Sequence, residues 1–247
     1  MRAERGPSPC AVASGALPAG LDGVFMRNGP DARVELSGDY HWFDGDGNVH
    51  CMRLRGGERG GAGSGSAPAI YSNRYVRTPR LELELAADRP LFTRIGDEIR
   101  MFGMLRVMLG TTRRLVRDRG LYPRINTATA NTAIVFHPGS GLLALNEAAT
   151  PTVLTLSDDG VMHTMGPPVW AEALPGPFTA HPRICPSTGE LWAYGYGTNK
   201  SKLGGSLFRI AAIGPDGALR KTIHVHDIKQ PVMVSLTTAC SCAWGNG

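Results

Sequence analysis

No stretch of this 247-residue chain runs for about 18 uncharged apolar residues, so the sequence offers no helix able to span a membrane. Aromatic residues are few, at 7%, and do not interleave with the basic residues as a nucleic-acid-binding face requires. The five cysteines (10, 51, 185, 240 and 242) are odd in number, lack any CxxC spacing and read as reduced thiols of an intracellular protein. No GxSxG occurs, which sets aside an elbow-type serine hydrolase. The glycine-rich "GGERGGAGSGSAP" (56–68) lacks the Lys-Ser/Thr of a phosphate loop and reads as a flexible hairpin tip. "DGDGN" opens like a calcium loop at Asp44, but Val49 and Arg55 stand where glycine and glutamate are needed. A tight hairpin turn is the expectation there. At the amino terminus, charged "MRAER" is followed by Pro7 and Pro9, too weak a pattern for a secretory signal. A cytoplasmic protein is expected, with a degraded organelle-targeting peptide, and hence the plastid, as the alternative.

What is abundant is turn chemistry. With 32 glycines, 18 prolines and 42% hydrophobic residues, the chain can bury a core and points to many short strands. "FDGDGNVHCMRL", "IVFHPGSGLLALNE", "LTLSDDGVMHTM", "ICPSTGELWAYGYG" and "IAAIGPDGALRKTIHV" each place two β-rich runs around a glycine turn. That cadence predicts an antiparallel all-β repeat such as a propeller.

Charge is concentrated in one place. Eight arginines against Asp97, Glu98 and Asp118 between Arg94 and Arg124 supply 8 − 3 = +5, the whole net charge of the chain. Within 98–120, Met101, Met104, Leu105, Met108 and Leu109 fall near helical spacing, with Arg106, Arg113, Arg114 and Arg117 between and after them. Two readings stand: a helix packed on the domain with a solvated basic face, or an interfacial helix dipping into anionic lipid.

Each of the seven histidines is a candidate ligand. His224 and His226 alternate in "TIHVHD" and would share a strand face, as exposed residues or as a metal pair. His41 and His50 flank the first hairpin, His137 precedes a turn, and His163 falls on an exposed strand. His181, in "PFTAHPR", is expected to be buried and stiffened by Phe178 and Pro182, with Arg183 the one charge close by. It reads as a core histidine or as a ligand awaiting partners.

Five stretches decide between these. "LPAGLDGVFMRNGPDA", "GDYHWFDGDGNVH", "YSNRYVRTPRLELE", "ANTAIVFHPGSGLLALNEAATP" and "PFTAHPRICPSTGELWAYGYG" resemble the carotenoid cleavage dioxygenases, in order, from about Leu17 to Met233. The likeness is greatest to the branch that cleaves 9,10 and 9′,10′ double bonds. The resemblance implies a seven-bladed β-propeller with a ferrous iron, Fe(2+), held by four histidines. It implies that His181 is the first ligand and that Glu147 hydrogen-bonds the N–H of a ligand imidazole. It implies that 98–120 is a membrane-contact patch admitting a carotenoid or apocarotenoid, whose conjugated C=C bond is cut into two carbonyl fragments with O2.

The match stops after "QPVM". The family continues M-M-H-D-F-A, whereas Met233 is followed by "VSLTTACSCAWGNG" and Ser235 takes the second ligand's place. His224 and His226 lie too early to replace it. The expectation is therefore an N-terminal segment (1–16), a partial carotenoid-oxygenase propeller (17–233) and an unrelated tail (234–247). On that reading the chain is a truncated or mis-joined gene product, inactive alone. The alternative is a non-catalytic fragment that binds membrane or apocarotenoid.

Overall fold

A computed structural model describes residues 3–35, 41–56, 67–92, 94, 128–147, 149–174, 178–197 and 206–228. The first sheet combines β1 (Arg5–Cys10), β2 (Asp22–Asp31), β3 (Asp46–Arg55) and β4 (Ala69–Tyr75) in the order β1-β4-β3-β2. The second is the meander β5 (Ala133–His137), β6 (Gly141–Leu145), β7 (Thr152–Leu156) and β8 (Met162–Gly166). The third runs β9 (Arg183–Ile184), β10 (Leu191–Gly197), β11 (Ser206–Ile213) and β12 (Leu219–Ile228), with β9 and β12 at its two edges. All the strand pairings are antiparallel. The all-β expectation holds.

The second sheet is buried on both faces, and its sequence says why. A strand alternates its side chains between faces, and "GLLAL" in β6 is apolar at every position beyond the glycine. Leu143 and Leu145 enter one core with Leu191, Ala193, Ala211 and Ile213 of the third sheet, closed by Trp170, Leu174 and Phe178. Ala144, between those two leucines, faces the other core, with Val49, Val76, Leu154 and Met162. A continuous apolar run is what a sheet packed on both sides needs.

Four of the expected hairpins form as read: β5–β6, β7–β8, β9–β10 and β11–β12. The β7–β8 turn shows the chemistry. Gly160 takes φ +86°, its N–H donating to Ser157 O at 2.9 Å. The first hairpin differs from expectation. "DGDGN" is no tight turn, because Asp46, Gly47 and Asn48 already lie on β3, paired with Asp31, Pro30 and Gly29. Asp46 accepts the Arg33 N–H at 3.2 Å and Asn48 donates to Asp31 Oδ2 at 2.9 Å, so local side chains stabilise strand rather than turn.

The N-terminal segment joins the first sheet. There β1 pairs with β4 from Arg5↔Asn73 to Cys10↔Ala69. Glu4 adds a bond from Tyr75 N (2.8 Å) and an ion pair with Arg77 (3.0 Å). "RGPSPC" was not legible as strand because of its prolines, which an edge position tolerates.

A helix the turn pattern did not announce, α1 (Pro79–Ala87), follows β4. Thr78 Oγ1 accepts the Leu81 N–H, Pro79 opens the first turn, and Asp88 ends it in the left-handed region at φ 47°. Its Glu84 is fully buried; Oε1 accepts from Leu91 N (2.8 Å) and Phe92 N (3.1 Å), and Oε2 meets Arg94 at 3.4 Å. The helix expected at 98–120, with Met101, Met104, Leu105, Met108, Arg106, Arg113 and Arg114, lies outside the described residues, as do the glycine tract at 57–66 and the tail at 234–247. Among the described residues no helix is long and apolar enough to cross a membrane.

Candidate metal-ligand site

The segment leading into β9 is anchored before it reaches its histidine. Phe178 sits in the core against the Trp170 ring, with centroids 5.2 Å apart. Thr179, fully buried, donates its N–H to Tyr194 O at 2.8 Å. Ala180 and Pro182 are buried too. His181 is the exception: its side chain is 43% exposed, which corrects the expectation of a buried ring. Its neighbours fill the core, and an alternating backbone turns the imidazole away from them.

What the ring faces is Glu147. His181 Nε2 lies 3.7 Å from Glu147 Oε1, an ion-pair distance rather than a hydrogen bond. Thr179 joins the two: His181 N donates to Thr179 Oγ1 at 2.9 Å, and that hydroxyl donates to Glu147 Oε1 at 3.4 Å. Glu147 Oε2 is buried and has no hydrogen-bond partner among the described residues. Neither ring nitrogen of His181 has a hydrogen bond there.

Asparagines fix the segment that leads into Glu147, and sequence reading did not single them out. Asn146 donates to Asn131 Oδ1 (3.1 Å) and Thr129 Oγ1 (3.0 Å). Asn131 donates to the carbonyls of Phe43 (3.0 Å) and Gly45 (2.8 Å). Asn28 donates to the carbonyls of Ala130 (2.7 Å) and Ala133 (3.1 Å). Ala130 is held at φ 49°, a conformation costly for a residue with a Cβ, and these bonds enforce it. The RNGP, WFDGDG, ANTA and LNE motifs, distant in sequence, are thus one hydrogen-bonded unit. Asn131 just before β5 and Asn146 just after β6, flanking one hairpin, were the signal available.

The other histidines lie elsewhere. His137 is fully buried with Nδ1 2.9 Å from Ser140 Oγ, and burial pushes its imidazole below the ordinary value. His50 meets Tyr71 OH at 2.7 Å, and His41 Nδ1 accepts the Phe43 N–H at 3.2 Å. His163 is exposed on β8, as expected. His224 and His226 belong to β12, at the opposite edge of the third sheet from β9, three strand spacings or roughly 14 Å away. Among the described residues no three His, Cys, Asp or Glu side chains gather to hold a metal.

The donor set fits an iron centre in kind and only in part. An open imidazole suits ferrous iron, and an orphaned carboxylate oxygen suits the N–H of a further ligand histidine. One imidazole alone is a weak ligand set. A cavity of about 270 Å³ lies apart from this pair, lined by Arg27 to Asp31, Asn48 and His50.

Comparison with known proteins follows the same residues. The family model described as RPE65, retinal pigment epithelial membrane protein, matches residues 2–236. A carotenoid 9,10(9′,10′)-cleavage dioxygenase 1 of Arabidopsis thaliana is 35% identical over 234 residues, covering 95% of this chain. A probable carotenoid cleavage dioxygenase 4, chloroplastic, of the same organism is 32% identical over 194 residues, 77% of this chain and 30% of that protein. Among solved structures, the lignostilbene dioxygenase of Pseudomonas brassicacearum superposes with a TM-score of 0.63 at 26% identity, over 91% of this chain and 39% of that one. The chain spans 40% of the length of the first of these relatives.

Proposed function

The chain belongs to the RPE65 and carotenoid cleavage dioxygenase family, and from that premise we propose that it serves oxidative cleavage of a conjugated C=C bond in a carotenoid or apocarotenoid. The observation that carries this reading is the meeting of His181 and Glu147, which lie in separate motifs yet come within 3.7 Å. Ferrous iron, when bound, supplies the activation of O2. His181 offers it an imidazole nitrogen. Glu147 keeps one carboxylate oxygen free to accept an N–H, which would fix the tautomer of a neighbouring ligand and make it a better donor. The three sheets are read as consecutive blades of a seven-bladed propeller that includes β1.

The arginine-rich segment at 98–120 is proposed as the peripheral membrane contact, through Met101, Met104, Leu105 and Met108 with Arg106, Arg113 and Arg114. A substrate that partitions into lipid would enter there without crossing water. A plastid location draws support from the relative named chloroplastic.

A second reading, a non-catalytic apocarotenoid- or membrane-binding protein, is favoured because among the described residues no three His, Cys, Asp or Glu side chains gather to hold a metal. One experiment separates them. The purified chain is supplied with ferrous iron and a detergent-dispersed apocarotenoid, while iron content, polyene absorbance and O2 uptake are followed. Bleaching matched by O2 uptake, lost in His181→Ala, supports cleavage. Polyene binding without bleaching supports the second reading. Iron retention unchanged by His181→Ala would remove the proposed ligand.

A further inference from the structure

We propose that Thr179 is the positioning residue of this site, setting the distance between the His181 imidazole and the Glu147 carboxylate through one hydroxyl. The inference rests on the metal-site reading above and adds a residue to it. Thr179 is fully buried between Phe178 and Ala180, both packed in the core between the second and third sheets. Its backbone is fixed to β10 by the 2.8 Å bond from its N–H to Tyr194 O. What remains is the hydroxyl, which has one proton to give and lone pairs to accept with. It accepts the His181 N–H at 2.9 Å, fixing the backbone from which the imidazole projects. Its proton is directed to Glu147 Oε1 at 3.4 Å, a long and weak bond. The bonded oxygen is the one nearest the ring; Oε2 stays unpartnered among the described residues. The hydroxyl therefore assigns different duties to the two carboxylate oxygens: one is tethered, the other is kept for an incoming N–H.

Sterics alone would not need threonine here. Valine has the same shape and would fill the buried space equally well, without either hydrogen bond.

The test compares Thr179→Val with Thr179→Ser in the full chain, by amide hydrogen exchange and by NMR with cobaltous ion as the probe. In Thr179→Val the His181 amide should exchange about tenfold faster than in the parent, the worth of one hydrogen bond. Cobalt-induced perturbation of the His181 ring should weaken in the same variant. Thr179→Ser, which restores the hydroxyl but loses a methyl, should recover both readouts even if its melting temperature is lower than that of the valine variant. Unchanged His181 exchange in Thr179→Val, or failure of serine to rescue it, overturns the proposal. If the exchange result holds while cobalt perturbs His181 in no variant, the positioning role stands and the metal reading falls.

Discussion

Gly139 and Gly217 lie against each other with no room for a side chain on either: a Cβ on Gly217 would stand 2.3 Å from Gly139 O. The β5–β6 turn and the β11–β12 turn touch at this point, so it is a contact between the second and third sheets. Gly217 is constrained twice, since it also takes φ +80°. Gly217→Ala should therefore cost about 3 kcal/mol, from left-handed strain and overpacking together. Urea denaturation measures it; a loss below the cost of strain alone would mean the turns separate freely.

Glu84 should be the most sensitive charged residue of the first sheet's surroundings. Glu84→Gln keeps an acceptor for Leu91 N and Phe92 N but removes the buried carboxylate that lies 3.8 Å from Arg80 and 3.4 Å from Arg94. Breaking such a pair by removing one partner costs about 3–5 kcal/mol. The same denaturation experiment should show that loss, and high salt should not restore it.

His137 should make stability fall in mild acid. Burial holds its imidazole below the ordinary value, so the folded state favours the neutral ring. A depressed value means the contribution is complete above the unfolded pKa, about 6.5, and is lost as pH falls toward the folded one. His137→Asn, which can keep a bond to Ser140, should flatten the stability profile below pH 6.5 by up to about 1.4 kcal/mol per pH unit. An unchanged slope would mean that other groups carry the acid sensitivity.

Cys185 should be alkylated before Cys51. Hydrogen bonds from Ser187 and Thr188 bring the Cys185 thiol down to about 7. Cys51 is 2% exposed and burial pushes its thiol up. At neutral pH, iodoacetamide should label Cys185 at least about tenfold faster, since thiolate and access both favour it. Peptide mapping over time gives the order directly.

Hairpins were legible in sequence where turn and pairing are local. "SDDG" and "GPDG" carry their own geometry, and the strands beside them need no distant partner. "DGDGN" misled because its second aspartate and asparagine are satisfied by Arg33 and Asp31, residues that local reading cannot bring near. β1 was missed for the same reason, its partner strand being far along the chain. At the site, motif resemblance singled out His181 and Glu147, and the fold brings them together. The outward turn of the ring is not legible in sequence, because buried neighbours at Phe178 and Pro182 do not fix which way the residue between them faces. The asparagine unit was invisible as chemistry, since its work is to hold carbonyls that only the fold assembles.

The pairing of β1 with β4 has a consequence for the order in which the protein is made. Arg5 and Asn73, which share a hydrogen bond, are 68 positions apart. At roughly 5–20 residues per second, β1 leaves the ribosome roughly 3 to 14 seconds before its partner exists. During that wait it is a lone strand with unpaired edges. Pro7 and Pro9 remove two of its N–H donors and spoil it as a template for pairing with other chains. The prolines that disguise β1 in the sequence thus act as its guard during synthesis.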